Sequence, residues 1–95
     1  MTIYKYSLNL KGLQTIVLPS KFDFLDVQVQ NGIICLWFFV DTTKPKVPKN
    51  IYIYGTGEDI DFSRLDKDTT YLGTVQLDTF VWHVFGEKHA RVETL

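Results

Sequence analysis

The sequence predicts an all-β protein: a single small antiparallel sandwich or partly open barrel of six to seven strands, with at most one short helical turn. Residues alternate in character with a period of two through most of the chain, and helical periodicity is scarce. Asn31-Gly32 is a strong hairpin signal, because a type I′ turn needs positive φ at both central positions. Glycines and prolines separate the other extended segments.

The first three predicted strands are short. IYKYSLNL alternates between an aromatic and aliphatic side, beginning at Tyr4, and a more polar side, beginning at Ile3, until Gly12 interrupts the pattern. LQTIVLP is the second strand, and it ends at Pro19, which cannot donate a hydrogen bond to a neighbouring strand. KFDFLDVQVQ is the third strand and leads into the Asn31-Gly32 turn.

The central hairpin follows from a two-residue loop at Asn31-Gly32. Counting outward pairs Gln30 with Ile33, Asp26 with Trp37 and Leu25 with Phe38. One face is then entirely apolar, and we expect it to form core: Leu25, Val27, Val29, Ile34, Leu36 and Phe38. A one-residue slip would turn all of these side chains outward, so the register should be firmly set.

The opposite face of this hairpin is polar near the turn and aromatic further along. Its aromatic side chains are Phe24, Trp37 and Phe39, and Cys35 lies beside them. One buried face is enough for a hairpin in a two-layer protein, so this face carries more apolar surface than the fold requires. We expect it to be covered partly by the chain itself and partly by a second copy in a homodimer.

The second half of the chain continues the pattern. TTKPKVPKN is predicted to be a loop, and NIYIY a strand with Ile51 and Ile53 on one side and Tyr52 and Tyr54 on the other. In the segment that follows, Ser63 resembles the start of a capping box for one helical turn.

A last hairpin is predicted around Asp78-Thr79. It pairs Val75 with Trp82 and Thr74 with His83. Residues 1–86 are therefore expected to form one all-β domain, and residues 87–95 a polar C-terminal tail.

Composition limits the classes of partner. The chain has 95 residues and a formal net charge of −1, so neither attraction to phosphate backbones nor mimicry of them is favoured, and nucleic acid is not an expected partner. Cys35 is the only cysteine, which excludes an internal disulfide bond. No apolar run approaches the ~18 residues of a membrane span, and the N-terminus lacks a leader pattern, so we expect no membrane association and a cytoplasmic location.

Catalytic and metal-binding patterns are missing from the sequence. Cys35 sits in mid-strand and is best explained as a buried structural residue. His83 is best explained as a partly buried strand residue that forms a hydrogen bond to Thr74 or to backbone, with an acidic-loop partner as the enzymatic alternative. A calcium loop starting at Asp59 fails, because Arg64 stands where glycine is required. We predict no catalytic residues, no metal site, no cofactor and no enzymatic activity.

Binding is therefore the expected role, and aromatic residues are the expected contacts, since tyrosine and tryptophan are favoured at interfaces. The candidate interface or ligand-binding residues are Phe24, Trp37, Phe39, Tyr52, Tyr54, Trp82 and His83.

Seven segments together resemble a set of small uncharacterised proteins encoded by tailed bacteriophages and prophages. They are IYKYSL, IVLP, DVQVQNG, CLWFFVD, IYIYGTG, YLGTVQL and VWHVF, and they span about residues 2 to 86. Ser7 stands where that set has proline, and the last nine residues extend beyond its usual end. The resemblance supplies no activity or catalytic residue; it implies an accessory protein acting inside a bacterial host.

The leading functional hypothesis is a phage accessory protein that binds a host protein and modulates or inhibits it, for example a factor in host defence. One alternative is sequestration of a small nucleotide-like ligand by stacking on tyrosines or Trp37. Another is a minor virion or assembly component.

Overall fold

A computed structural model describes residues 1–90 and contains seven β-strands and one short 3-10 turn. The elements in chain order are β1 (Thr2–Ser7), β2 (Leu13–Pro19), β3 (Phe22–Gln30), β4 (Ile33–Val40), β5 (Lys46–Gly55), η1 (Phe62–Arg64), β6 (Thr70–Leu77) and β7 (Phe80–Gly86).

The strands form two antiparallel sheets. Sheet A has the order β1-β4-β3, and sheet B has the order β2-β5-β7-β6. The sheets do not close into a barrel, and β3 and β6 are the strands at which they approach each other most. The predicted all-β class, strand number and single helical turn are confirmed, and the architecture is the sandwich.

The core lies between the two sheets and draws on both. Leu36 and Val40 of sheet A, and Leu18 and Val84 of sheet B, are fully buried. Removing such side chains from water stabilises the fold by about 1.5–3 kcal/mol each. The ring of Phe38 is at the centre of an aromatic cluster, with edge-to-face contacts to the rings of Tyr6, Phe22 and Phe24. Burial raises the pKa of Tyr6, and the adjacent Tyr4 adds to the shift.

The central hairpin confirms most of the predicted register. Asn31 and Gly32 both have positive φ, 53° and 75°, and the pairs from Gln30–Ile33 to Asp26–Trp37 are as expected. A β-bulge at Leu25 then shifts the register, so that Phe24 rather than Leu25 pairs with Phe38.

The bulge corrects two predictions about faces. Leu25 is the extra residue and is 40% exposed instead of lying in the core. Phe24 turns toward the core and packs against Phe38 instead of sharing a face with Trp37 and Phe39. A bulge inserts one residue into one strand, and this reverses the side on which every residue beyond it lies.

Strand β5 is longer than predicted, because KVPKN belongs to it and is not a loop. Lys46 to Asn50 pair with β2, and Pro48 lies opposite Val17. Pairing of β5 with β7 begins only at Tyr52. The proline therefore sits where the strand has a neighbour on one side only, and its missing N–H costs no hydrogen bond in the sheet.

The segment after β5 crosses the outer side of sheet B. It contains the expected single helical turn, but Asp61 caps it instead of Ser63: the Asp61 side chain accepts a hydrogen bond from the Ser63 backbone N–H at 3.0 Å. The Tyr52 hydroxyl donates to the carbonyl oxygen of Arg64 at 3.5 Å, and Tyr52 is only 5% exposed beneath this segment.

The last hairpin has the predicted register, with Val75 opposite Trp82 and Thr74 opposite His83. Strand β6 contains a second bulge, between Tyr71 and Gly73. At Gly73 a Cβ would lie 2.5 Å from Val27 Cγ1 on β3. Glycine is favoured there because β6 and β3 approach too closely for a side chain, and because residues with a side chain rarely adopt its φ of 159°.

Residues 87–90 run beside β3. The Phe24 N–H donates to the Lys88 carbonyl at 2.7 Å, and the Ala90 N–H donates to the Phe22 carbonyl at 3.0 Å. His89 lies opposite Asp23, and its Nδ1 is 2.6 Å from the Asp23 carboxylate. The beginning of the predicted tail thus extends sheet A; its remainder, residues 91–95, lies outside the described residues.

Candidate binding surfaces

The outer face of sheet A, the side turned away from the core, combines apolar and charged side chains in rows across the strands. One row is Lys5–Trp37–Asp26 and the next is Ile3–Phe39–Asp23. Ile3 and Phe39 are 55% and 38% exposed. A basic residue therefore lies on edge strand β1, acidic residues lie on β3, and aromatic residues lie between them on β4.

Polar side chains on β1 and β3, the strands on either side of β4, form hydrogen bonds on this face. Lys5 Nζ donates to the Gln30 side chain at 2.8 Å across β4. The Asp26 carboxylate accepts from the Val27 N–H and from the Gln28 amide, each at 2.8 Å. Cys35 on β4 is only 2% exposed, so its thiol is covered, which agrees with the structural role expected for it.

The outer face of sheet B carries a second surface, which we call the Tyr–His patch: Tyr54, Tyr71, Thr74, His83 and Phe85. The rings of Tyr54 and Tyr71 meet the Phe85 ring edge-on, with centroid distances of 6.0 Å and 5.6 Å. Tyr71 is 48% exposed, although its hydroxyl bonds to Thr74 and its ring packs against Phe85. The patch offers a rigid aromatic surface to solvent.

Hydroxyl groups fix the histidine of the patch. His83 Nδ1 is 2.9 Å from Thr74 Oγ1, and His83 Nε2 is 2.7 Å from Thr56 Oγ1. The Tyr71 hydroxyl in turn makes a hydrogen bond with Thr74 Oγ1. A neutral imidazole donates from one nitrogen and accepts at the other, and hydroxyls suit both roles. Within residues 1–90, neither nitrogen has the carboxylate partner that orients a catalytic histidine.

A polar cleft of about 300 Å³ lies where β2 and β5 meet the segment before β6. Lys49, Lys67, Asp66 and Glu87 line it, and Lys49 Nζ forms an ion pair with Glu87 at 2.9 Å. Both acidic and basic groups line this cleft. This cleft does not present the concentrated positive charge that a phosphate group requires.

The seven candidate residues do not form one site. Trp37 and Phe39 lie on the outer face of sheet A, and Tyr54 and His83 lie in the Tyr–His patch. The remaining three are elsewhere: Phe24 packs on the core, Tyr52 is covered by the segment around η1, and Trp82 turns toward the core, where its indole Nε1 is buried without a partner among the described residues.

Sequence reasoning missed Tyr71, Phe85 and Thr56 as members or neighbours of the patch. Tyr71 and Thr74 are three positions apart, which places them on opposite sides of a regular strand. The bulge between Tyr71 and Gly73 brings them to the same side. Only the predicted pairing of Thr74 with His83 indicated where the patch would form.

In the part of the chain that the structure describes, no group of three or more histidine, cysteine, aspartate or glutamate side chains is arranged to hold a metal ion. Nor do those residues include a helix with the length and apolar character needed to cross a membrane.

A family model described as "Domain of unknown function (DUF7352)" matches residues 1–94. No curated protein and no solved structure matches the chain. The family match covers both sheets and the segment that runs beside β3, so it concerns the whole of the fold described above.

Proposed function

We propose that this chain, which belongs to the DUF7352 family, is a non-enzymatic binding protein that recognises a partner protein through its Tyr–His patch. The observation that carries the proposal is the hydroxyl network around His83, which holds an exposed aromatic surface in one conformation. Tyrosine-rich surfaces are typical of protein interfaces, because tyrosine supplies a large contact area and a hydrogen-bonding hydroxyl with few rotatable bonds.

Preorganisation supports binding at this patch. Association costs about 0.5–1.5 kcal/mol for each mobile side chain that it immobilises. Tyr71 is already held by Thr74 and by the edge of Phe85. His83 is held at both ring nitrogens. A partner that contacts these side chains meets groups whose conformational entropy has already been lost in folding.

The surroundings of His83 also support a binding role over a catalytic one. A catalytic histidine that activates a hydroxyl has a carboxylate partner on its other ring nitrogen. His83 contacts a threonine hydroxyl at each nitrogen and no carboxylate within residues 1–90, and the chain's single cysteine is covered. These contacts position the ring as part of a surface.

The biological setting that we propose comes from the sequence resemblance to bacteriophage proteins. In this setting the protein acts in the cytoplasm of a bacterial host and modulates or inhibits a host factor, with host defence as one such target. Expression of the protein in bacteria challenged with unrelated phages tests this directly. An increased plating efficiency that depends on Tyr71 supports counter-defence, and an unchanged efficiency for every phage tested argues against it.

Affinity capture from bacterial cells tests the patch, with two matched tyrosine variants. Tyr71→Ala removes an exposed ring from the patch, and Tyr4→Ala removes a ring of similar exposure, 39%, from sheet A. We expect wild type and Tyr4→Ala to retain the same partner, and Tyr71→Ala to lose it at least tenfold, as roughly expected for a central interface tyrosine. Equal capture by all three proteins would overturn the assignment of the patch.

Two alternatives stay predictions. Sequestration of a nucleotide-like ligand predicts a higher melting temperature in the presence of nucleotides, because tight binding to the native state raises stability. A virion or assembly role predicts that the protein is found in purified particles. The buried position of Tyr52 and the mixed charge of the polar cleft do not favour nucleotide stacking in this fold.

A further inference from the structure

We infer that the outer face of sheet A is the interface of a homodimer whose two-fold axis runs parallel to the strands. The face is apolar along β4, where Ile33, Trp37 and Phe39 are at least partly exposed. The Lys5–Gln30 hydrogen bond crosses β4 on this side, where Cys35 is buried, and leaves these three side chains accessible. This interface is separate from the Tyr–His patch, which lies on the opposite side of the sandwich.

The charge pattern indicates a second copy as the occupant. In the row Lys5–Trp37–Asp26, opposite charges flank a central aromatic ring. A symmetric interface brings the same surface together with itself, so it must be complementary to itself. If a second copy packs on this row in the reversed order, Lys5 lies opposite the partner's Asp26 and Trp37 lies opposite the partner's Trp37. The row is therefore complementary to itself.

The same pattern decides between the two possible axes. When two copies of one face pack together, the two-fold axis lies in the plane between them, and its two limiting directions are along the strands and across them. An axis along the strands places Lys5 opposite the partner's Asp26 in both halves of the interface. An axis across the strands through this row places Lys5 opposite the partner's Lys5, and Asp26 opposite the partner's Asp26. Like charges in contact oppose association, so the strand-parallel axis is favoured.

The size of the face limits the affinity. Three strands spaced by about 4.8 Å, with six to nine residues each at about 3.4 Å per residue, present a face of roughly 15 by 25 Å. This corresponds to about 375 Å² per partner and about 750 Å² in total, less than the ~1,000 Å² that a stable specific interface usually buries, so the dimer is a weak one. We expect a dimer with a dissociation constant in the micromolar range, which dissociates on dilution.

Charge exchange tests the arrangement by analytical ultracentrifugation. Lys5→Asp and Asp26→Lys should each weaken the dimer, about tenfold or more, because each places like charges in contact at both ends of the row. An equimolar mixture of the two variants should form a heterodimer. In one chain both ends of the row are then acidic, and in the other chain both ends of the row are basic. Native mass spectrometry identifies the heterodimer by mass.

Apolar variants supply the second test. Phe39→Glu should abolish the dimer, whereas Phe62→Glu should leave it intact, because Phe62 is 71% exposed but lies in η1, away from sheet A. Circular dichroism of each variant verifies that it is folded. The inference is overturned if wild type is monomeric at about 100 µM, well above a micromolar dissociation constant. It is equally overturned if the mixed charge variants remain monomeric, or if Phe39→Glu stays dimeric.

Discussion

Gly73 shows how closely the two sheets approach each other. A methyl group at this position would lie 2.5 Å from Val27 Cγ1, and Val27 is itself buried. Adding one atom here therefore costs packing energy between β6 and β3, and the φ of 159° at Gly73 adds backbone strain.

We predict that Gly73→Ala lowers the free energy of unfolding by about 1–3 kcal/mol, the usual range for an overpacked core. Chemical denaturation measures the effect. Gly12→Ala is the control, because the nearest heavy atom to its Cβ is 4.0 Å away. Its effect should stay within about 0.5 kcal/mol.

A double variant tests the cause of this loss. Val27→Ala removes the Cγ1 atom that blocks the new methyl group, so the two changes together should cost less than their sum. Additive effects would mean that Gly73 is needed for another reason than its contact with Val27.

Asp41 gives a prediction about pH. Hydrogen bonds from the Thr43 hydroxyl and the Thr43 backbone N–H lower the pKa of the Asp41 carboxyl below its ordinary value of 3.8. Because the pKa is lower in the folded state than in the unfolded chain, the ionised carboxylate contributes stability above the unfolded value. That contribution is lost as the pH falls through the folded pKa.

Thr43→Val removes the hydroxyl and keeps the backbone donor, so it should raise the pKa of Asp41 toward 3.8. Carbon-detected NMR titration of the carboxyl measures this shift. Thr42→Val, at the neighbouring exposed position, should leave the titration unchanged. A shift of the same size in both variants would contradict the account of the Thr43 hydroxyl.

At the scale of elements, the turns were predictable from sequence and the bulges were not. Asn31-Gly32 and Asp78-Thr79 fix the register of the residues next to them, because a two-residue loop allows only one pairing. The bulge at Leu25 falls within the apolar pair Phe24-Leu25, so the side-chain pattern does not show which residue is the extra one.

Candidate site residues were missed for a related reason. The position of Tyr71 beside Thr74 depends on the bulge in β6. The burial of Tyr52 depends on a later segment that crosses the sheet. The strand at Pro48 was mistaken for a loop because a strand with only one neighbour accepts proline, and the sequence does not say how many neighbours a strand has.

The segment that extends sheet A beside β3 gives a prediction at this scale. The amides of Phe24 and Ala90 donate to backbone carbonyls, so both should exchange slowly with solvent deuterium. Ala90→Pro removes one donor and should speed the exchange of Phe24, while amides of the β6–β7 hairpin keep their rates. Exchange of the Phe24 amide at the rate of an unstructured peptide in wild type would contradict this pairing.

At the scale of the whole molecule, the sandwich has two outer faces of different character. Sheet A presents an apolar face with charges of opposite sign at its borders, and sheet B presents tyrosine and histidine held by hydroxyl groups. The core between them keeps the faces apart, so a change on one face should not alter the other. Independence of this kind would allow the proposed homodimer to display two copies of the proposed partner-binding patch.

Native mass spectrometry of tagged protein purified from bacterial cells tests this central claim most directly, since it reports subunit number and retained partner together. We predict that Phe39→Glu becomes monomeric and still retains the partner, and that Tyr71→Ala remains dimeric and loses it. If a single substitution removes both properties from a folded protein, the two faces are not independent recognition surfaces, and the account is wrong.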